Sequence, residues 1–134
     1  LLTLRGWAGL NPTHWPTQMR EELLAHQNDR PGGTRMFNDM RYGGFLIRYA
    51  PGYRVFVDDR CELYRYDWLA DFVAASQTDT AEAIERWQEK YGTFDFALVK
   101  SGEGFDRFFA ASKDWEIVKK TATATLYRPA PESR

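Results

Sequence analysis

The chain has 134 residues, 43% of them hydrophobic and 28% charged. That size and balance fit one globular domain and exclude a disordered, collagen-like or low-complexity chain. Eighteen Lys and Arg against nineteen Asp and Glu argue against a dedicated nucleic-acid binder, which carries a strong basic excess. A single cysteine, Cys61, leaves no internal disulfide and no multi-cysteine metal site. No apolar run reaches the roughly 18 residues of a membrane-spanning helix.

Residues 1–13 carry no period and read as a lead-in. Leu1-Leu2 stands in place of an initiating Met, so the expectation is a piece of a longer protein. Trp15, Met19 and Leu23 recur at helical spacing behind Pro16, which predicts an amphipathic helix from 15 to about 27. The stretch Asn28-Asp29-Arg30-Pro31-Gly32-Gly33 is a loop by every local signal. Thr34 to Phe37 reads as a first strand. A helix follows from about Asp39 to Tyr49, with Asn38 or Asp39 as N-cap.

Pro51 and Gly52 end that helix, and Tyr53 to Val57 is the strongest strand in the chain. Trp68, Phe72 and Ala75 then repeat as a third helix. Asp79 and Glu82 form an aspartate capping box for a fourth, striped by Ile84, Trp87 and Tyr91 and stopped by Gly92. Phe94 to Val99 is apolar on both faces, as a central strand covered on both sides should be. Phe105, Phe108 and Phe109 mark a short fifth helix. Trp115–Val118 and Thr123–Tyr127 form a hairpin, and 129–134 reads as a frayed tail.

Strands alternating with helices predict an α/β fold: a three-layer, Rossmann-like single domain over 1–134, its sheet mostly parallel and closed by a C-terminal antiparallel hairpin. Ligands of such sheets bind beyond the carboxyl ends of the parallel strands. Those ends hold Asn38 and Asp39, then Asp58, Asp59 and Arg60, then Lys100. These six are the candidate binding residues.

Each candidate has two readings. Asp58 and Asp59 could hold a divalent cation or act as a general base. Adjacent residues usually point apart, however, and Asp after a strand is a common turn residue. Arg60 could grip a phosphate or a carboxylate bidentately, or pair with Asp39 or Asp58. The structural reading is favoured for both. Gly43-Gly44 lacks the spacing of a dinucleotide-binding turn, as do Gly102 and Gly104, so no cofactor is expected. Close packing of helix on sheet explains the glycine pair. His14 and His26 lack a third ligand in recognisable spacing, so no metal is expected, and no catalytic residue stands out.

Five Trp, seven Tyr and nine Phe make 16% of the chain. Such rings fill a core, and they also stack on sugars and bases. Trp68 and Trp87 fall on helical apolar stripes, where core filling accounts for them.

Three segments together carry a resemblance: His14-Trp15-Pro16, then Arg35-Met36-Phe37-Asn38-Asp39-Met40-Arg41-Tyr42-Gly43-Gly44-Phe45-Leu46, then Tyr53 to Arg60 followed by Tyr64. Over roughly residues 13–128 the chain resembles the soluble C-terminal domain of bacterial multi-pass membrane proteins of the mannosyltransferase-like (GT-C) glycosyltransferase kind. Gly43, Gly44 and Tyr64 are then structural signatures. Asp59 departs from the pattern, which has glycine there. The resemblance implies an extracytoplasmic place at the bacterial cell membrane, with the catalytic carboxylate elsewhere in the parent. It also implies the transmembrane part of that parent as a partner, with a glycan or lipid-linked acceptor as a further one. The expectation is a non-catalytic accessory or binding domain. The alternative is a small nucleotide- or metal-dependent enzyme using the strand-end carboxylates.

Overall fold

The computed structural model describes residues 9–57 and 66–131. Behind Pro16 the chain makes a 3-10 turn, Thr17–Met19, and only then the first α-helix, α1, Arg20–His26. Strand β1 is Thr34–Asn38, followed by α2, Met40–Tyr49, and β2, Tyr53–Val55. Helices α3, Tyr66–Ala75, and α4, Thr80–Tyr91, lead to β3, Phe96–Lys100. Helix α5, Phe105–Ala111, and strands β4, Trp115–Lys120, and β5, Ala124–Pro129, complete the order.

One five-stranded sheet runs β2-β1-β3-β5-β4. β1 pairs in parallel with β2, setting Thr34 against Tyr53, and with β3, setting Asn38 against Leu98. β5 pairs antiparallel with both β3 and β4, and a bulge interrupts β4 between Ile117 and Lys119. The α/β class therefore stands, while the expected mostly parallel sheet is corrected to a mixed one. The hairpin inserts its second arm against β3, so both of its pairings are antiparallel and equal in number the two parallel ones.

Side chains alternate across a strand, and the core divides accordingly. Met36, Phe96, Leu98 and Leu126 gather with Met19 and Leu23 beside α1 and with Tyr42, Phe45 and Leu46 of α2. Phe37, Ala97, Val99 and Tyr127 gather with Phe72, Trp87, Phe105 and Phe109 of α3, α4 and α5. The aromatic content is spent largely here. The fully buried Phe37 ring lies 4.9–6.3 Å, centroid to centroid, from those of Phe56, Phe72, Trp87, Phe94, Phe105 and Phe109. Tyr53 fastens the first core by donating its hydroxyl to the Leu23 carbonyl at 2.7 Å.

Three local expectations change. The strand from Tyr53 stops at Val55 rather than Val57: Phe56 N still reaches Met36 O at 3.1 Å, but at Val57 the Asn38 side chain takes over the pairing. Asp79 sits at the N-terminus of α4 in the left-handed region, φ 53°, ψ 37°, and makes no side-chain cap. A capping aspartate needs extended backbone to aim its carboxylate at the first turn. β5 runs through Pro129, into the stretch read as tail, and the Ala130 N–H donates to Asp114 O at 2.8 Å. Gly92 ends α4 as expected, at φ 103°. No helix among the described residues is long and apolar enough to cross a membrane.

Candidate functional site

The order β2-β1-β3 brings the carboxyl ends of β1 and β3 side by side. Asn38 is fully buried there, and its amide makes four hydrogen bonds. Nδ2 donates to Val57 O at 2.6 Å and to Asp39 O at 2.9 Å; Oδ1 accepts from Phe56 N at 2.9 Å and Val57 N at 3.3 Å. A primary amide has two donor hydrogens and two acceptor lone pairs, so this side chain is saturated.

Asp39 stands at the start of α2 with extended backbone, φ −61° and ψ 146°, yet its carboxylate does not cap the helix. Instead Oδ2 accepts from Lys100 N at 2.6 Å, across the gap between β1 and β3, while the Asp39 N–H donates to Leu98 O. Burial raises the carboxyl above its ordinary value. The Lys100 N–H and the Arg41 charge oppose that rise, and the Glu103 and Asp106 charges add to it. The Lys100 ammonium lies 3.9 Å from Glu103 Oε2, and Arg41 Nη2 lies 3.8 Å from Glu103 Oε1. Long pairs at exposed side chains contribute little.

The loop after β3 is held as firmly. Gly102 turns at φ 80°, a conformation natural to glycine, and its N–H donates to Asp106 Oδ2 at 2.8 Å. The buried Asp106 carboxylate also accepts from the Tyr127 hydroxyl of β5. Burial and that partner push the Tyr127 phenol well above its ordinary value, so it serves as a neutral donor. Ser101 Oγ donates to Thr121 O at 2.7 Å. Tyr42, pushed up to about 12 by burial and the Asp39 charge, donates to Thr123 O at 3.2 Å.

Of the expected site residues, Asn38, Asp39 and Lys100 meet at the ends of β1 and β3. Asp58, Asp59, Arg60 and Tyr64 lie outside the described residues. Gly43 is buried in α2 and Gly44 half-buried. Asp106 and Tyr127 were missed by sequence reasoning. The available signal was an acidic residue four positions beyond Gly102, placed to receive the N–H of a tight glycine turn. Among the described residues no group of three or more His, Cys, Asp or Glu could hold a metal ion. The arrangement binds β1, the segment after β2, β3 and β5 to one another. The chain matches no protein-family model, no curated protein and no solved structure.

Proposed function

We propose that this chain is a non-catalytic, extracytoplasmic accessory domain of a glycosyltransferase-like membrane protein, docked on the transmembrane part of its parent. One observation carries the non-catalytic part. The polar groups at the ends of β1 and β3 hydrogen-bond to one another, with Asn38 saturated and Asp39 and Asp106 each accepting backbone N–H groups. Buried polar groups must be paired, and these are paired within the chain. The membrane parent rests on the likeness of the segments around Trp15, Asn38 and Gly43. We read the architecture as Rossmann-like with three layers. The two apolar clusters on opposite faces of the sheet support this, as does the reversal of strand order at β1 and β3.

A second reading has one observation in its favour: Asp39 stands at that reversal, where ligands of open α/β sheets bind. It would make the chain a small nucleotide- or metal-dependent enzyme. Calorimetric titration of the 134-residue chain with Mg²⁺, Mn²⁺, ATP and UDP-glucose separates the two. The accessory reading expects no saturable heat. Saturable binding lost in Asp39→Asn would establish the enzyme reading instead. For the parent, the reading frame upstream of Leu1 should encode several apolar segments of about 20 residues; a frame without them removes the membrane protein.

A further inference from the structure

A groove of about 1360 Å³ opens at the opposite end of the sheet. Phe96, Trp115 and Pro129 lie on it, where β3 and β4 begin and β5 ends. The strand-end cluster is about 13 Å away along β3, at the ordinary rise per residue. The groove exceeds the roughly 300–1,000 Å³ of a small-molecule pocket, a size that suits an extended occupant.

Its lining has one sign of charge in excess. Asp29, Glu85, Asp95 and Asp114 face it, and among the described lining residues the cation is Arg30. Arg30 is already committed, its Nε donating to Asp95 Oδ1 at 3.0 Å. Asp29 Oδ2 lies 2.7 Å from His26 Nδ1, yet Asp29 remains exposed, and Glu85 is exposed on α4, so both carboxylates are open to solvent. The same groove is lined by half-buried Phe108 and Trp115, rings that accept aliphatic stems and the flat faces of guanidinium groups. Carboxylates above an aromatic floor are the complement of arginine and lysine side chains, and they repel phosphate and anionic lipid.

We propose that this groove receives an extended, arginine- and lysine-rich segment of another polypeptide. The proposal does not depend on the reading of the strand-end cluster. Arginine heads would pair with Glu85 and Asp29 while their stems cover Phe108 and Trp115. The whole chain is close to neutral, with eighteen basic and nineteen acidic side chains, so the attraction is local to the groove.

The test uses a fluorescein-labelled dodecapeptide of alternating arginine and alanine, followed by anisotropy against the 134-residue chain. Saturable binding is expected, weakened at least about tenfold by Glu85→Lys combined with Asp29→Lys. Glu89→Lys, on the same helix but outside the groove, should leave the affinity within about twofold of the parent. Circular dichroism melts confirm that each variant is folded. Absence of saturable binding overturns the proposal, and so does equal weakening by Glu89→Lys, which would mean unspecific attraction. Binding unchanged by the double reversal overturns it too, as does a neutral oligosaccharide that displaces the peptide from the groove.

Discussion

Asn38 and Asp39 are neighbours in sequence but do different work. The Asn38 amide replaces strand pairing at Val57, so Asn38→Leu strands the Val57 N–H and the Val57 carbonyl that it had satisfied, while Phe56 N keeps Met36 O. The expected cost is about 2–4 kcal/mol, read as a melting temperature lower by roughly 6–15 °C for a domain of this size. Asp39 is the reverse case. Its carboxyl titrates above the unfolded value because burial disfavours the charge. The folded state therefore holds the proton more tightly, and stability falls as pH rises from the unfolded value through the raised folded one. Asp39→Asn keeps an acceptor for the Lys100 N–H and removes the charge. Its melting temperature relative to the parent should increase with pH across that window and level off above it. A difference independent of pH would mean that Asp39 is not desolvated.

At the scale of elements, glycines and hairpin arms decide the outcome. Gly92 sits at φ 103° and ψ 158°, a region essentially reserved for glycine, and a Cβ there would meet Arg35 Cζ at 3.0 Å. Gly92→Ala should cost about 1–3 kcal/mol in a urea melt. In α2, the buried Gly43 should suffer more than the half-buried Gly44 when each is replaced by Leu, about 1–3 kcal/mol through overpacking. Equal and negligible losses would show that α2 has room beside the sheet.

The alternation of elements made β1, β2 and β3 readable as neighbours, and the two-faced apolar pattern of β3 made its central place readable. The docking of the hairpin was less obvious, though its signal was present. Ala124, Leu126 and Tyr127 are buried in β5, whereas β4 carries Glu116, Lys119 and Lys120 and leaves Ile117 half exposed. Charge and a bulge are what an edge strand needs, so β4 takes the edge and β5 the interior. The Asn38 clasp was illegible for a physical reason. Its partner Val57 is free for it only because β2 ends at Val55, and β propensity continues through Val57. Likewise Asp106 and Tyr127 are 21 residues apart, and only the placement of β5 joins them.

Over the whole molecule, stability rests on two apolar clusters that share one sheet. Phe37 is fully buried amid the Phe and Trp rings of one of them, and Phe37→Ala should cost about 3–5 kcal/mol, more than any surface substitution on α4. Chemical denaturation with near-ultraviolet circular dichroism would register both the loss and any loosening of the surrounding Trp and Phe rings. Retention of full stability would show that the cluster collapses freely around the gap.

The place of β5 has a consequence for how the domain is made. β5, which leaves the ribosome after the other four described strands, is not laid on the edge of a finished sheet; it fills the space between β3 and β4 and carries the hydroxyl that seats Asp106. Until residues 124–129 emerge, β3 presents an unpaired backbone edge and β4 has no partner to hold it to the sheet. The β3–β5 pairing is non-local and forms more slowly than the β4–β5 hairpin, so this part of the nascent chain should stay open to proteases and chaperones until β5 has emerged. A chain stopped at Thr123 should then show no cooperative unfolding transition, while one stopped at Pro131 should melt like the full domain.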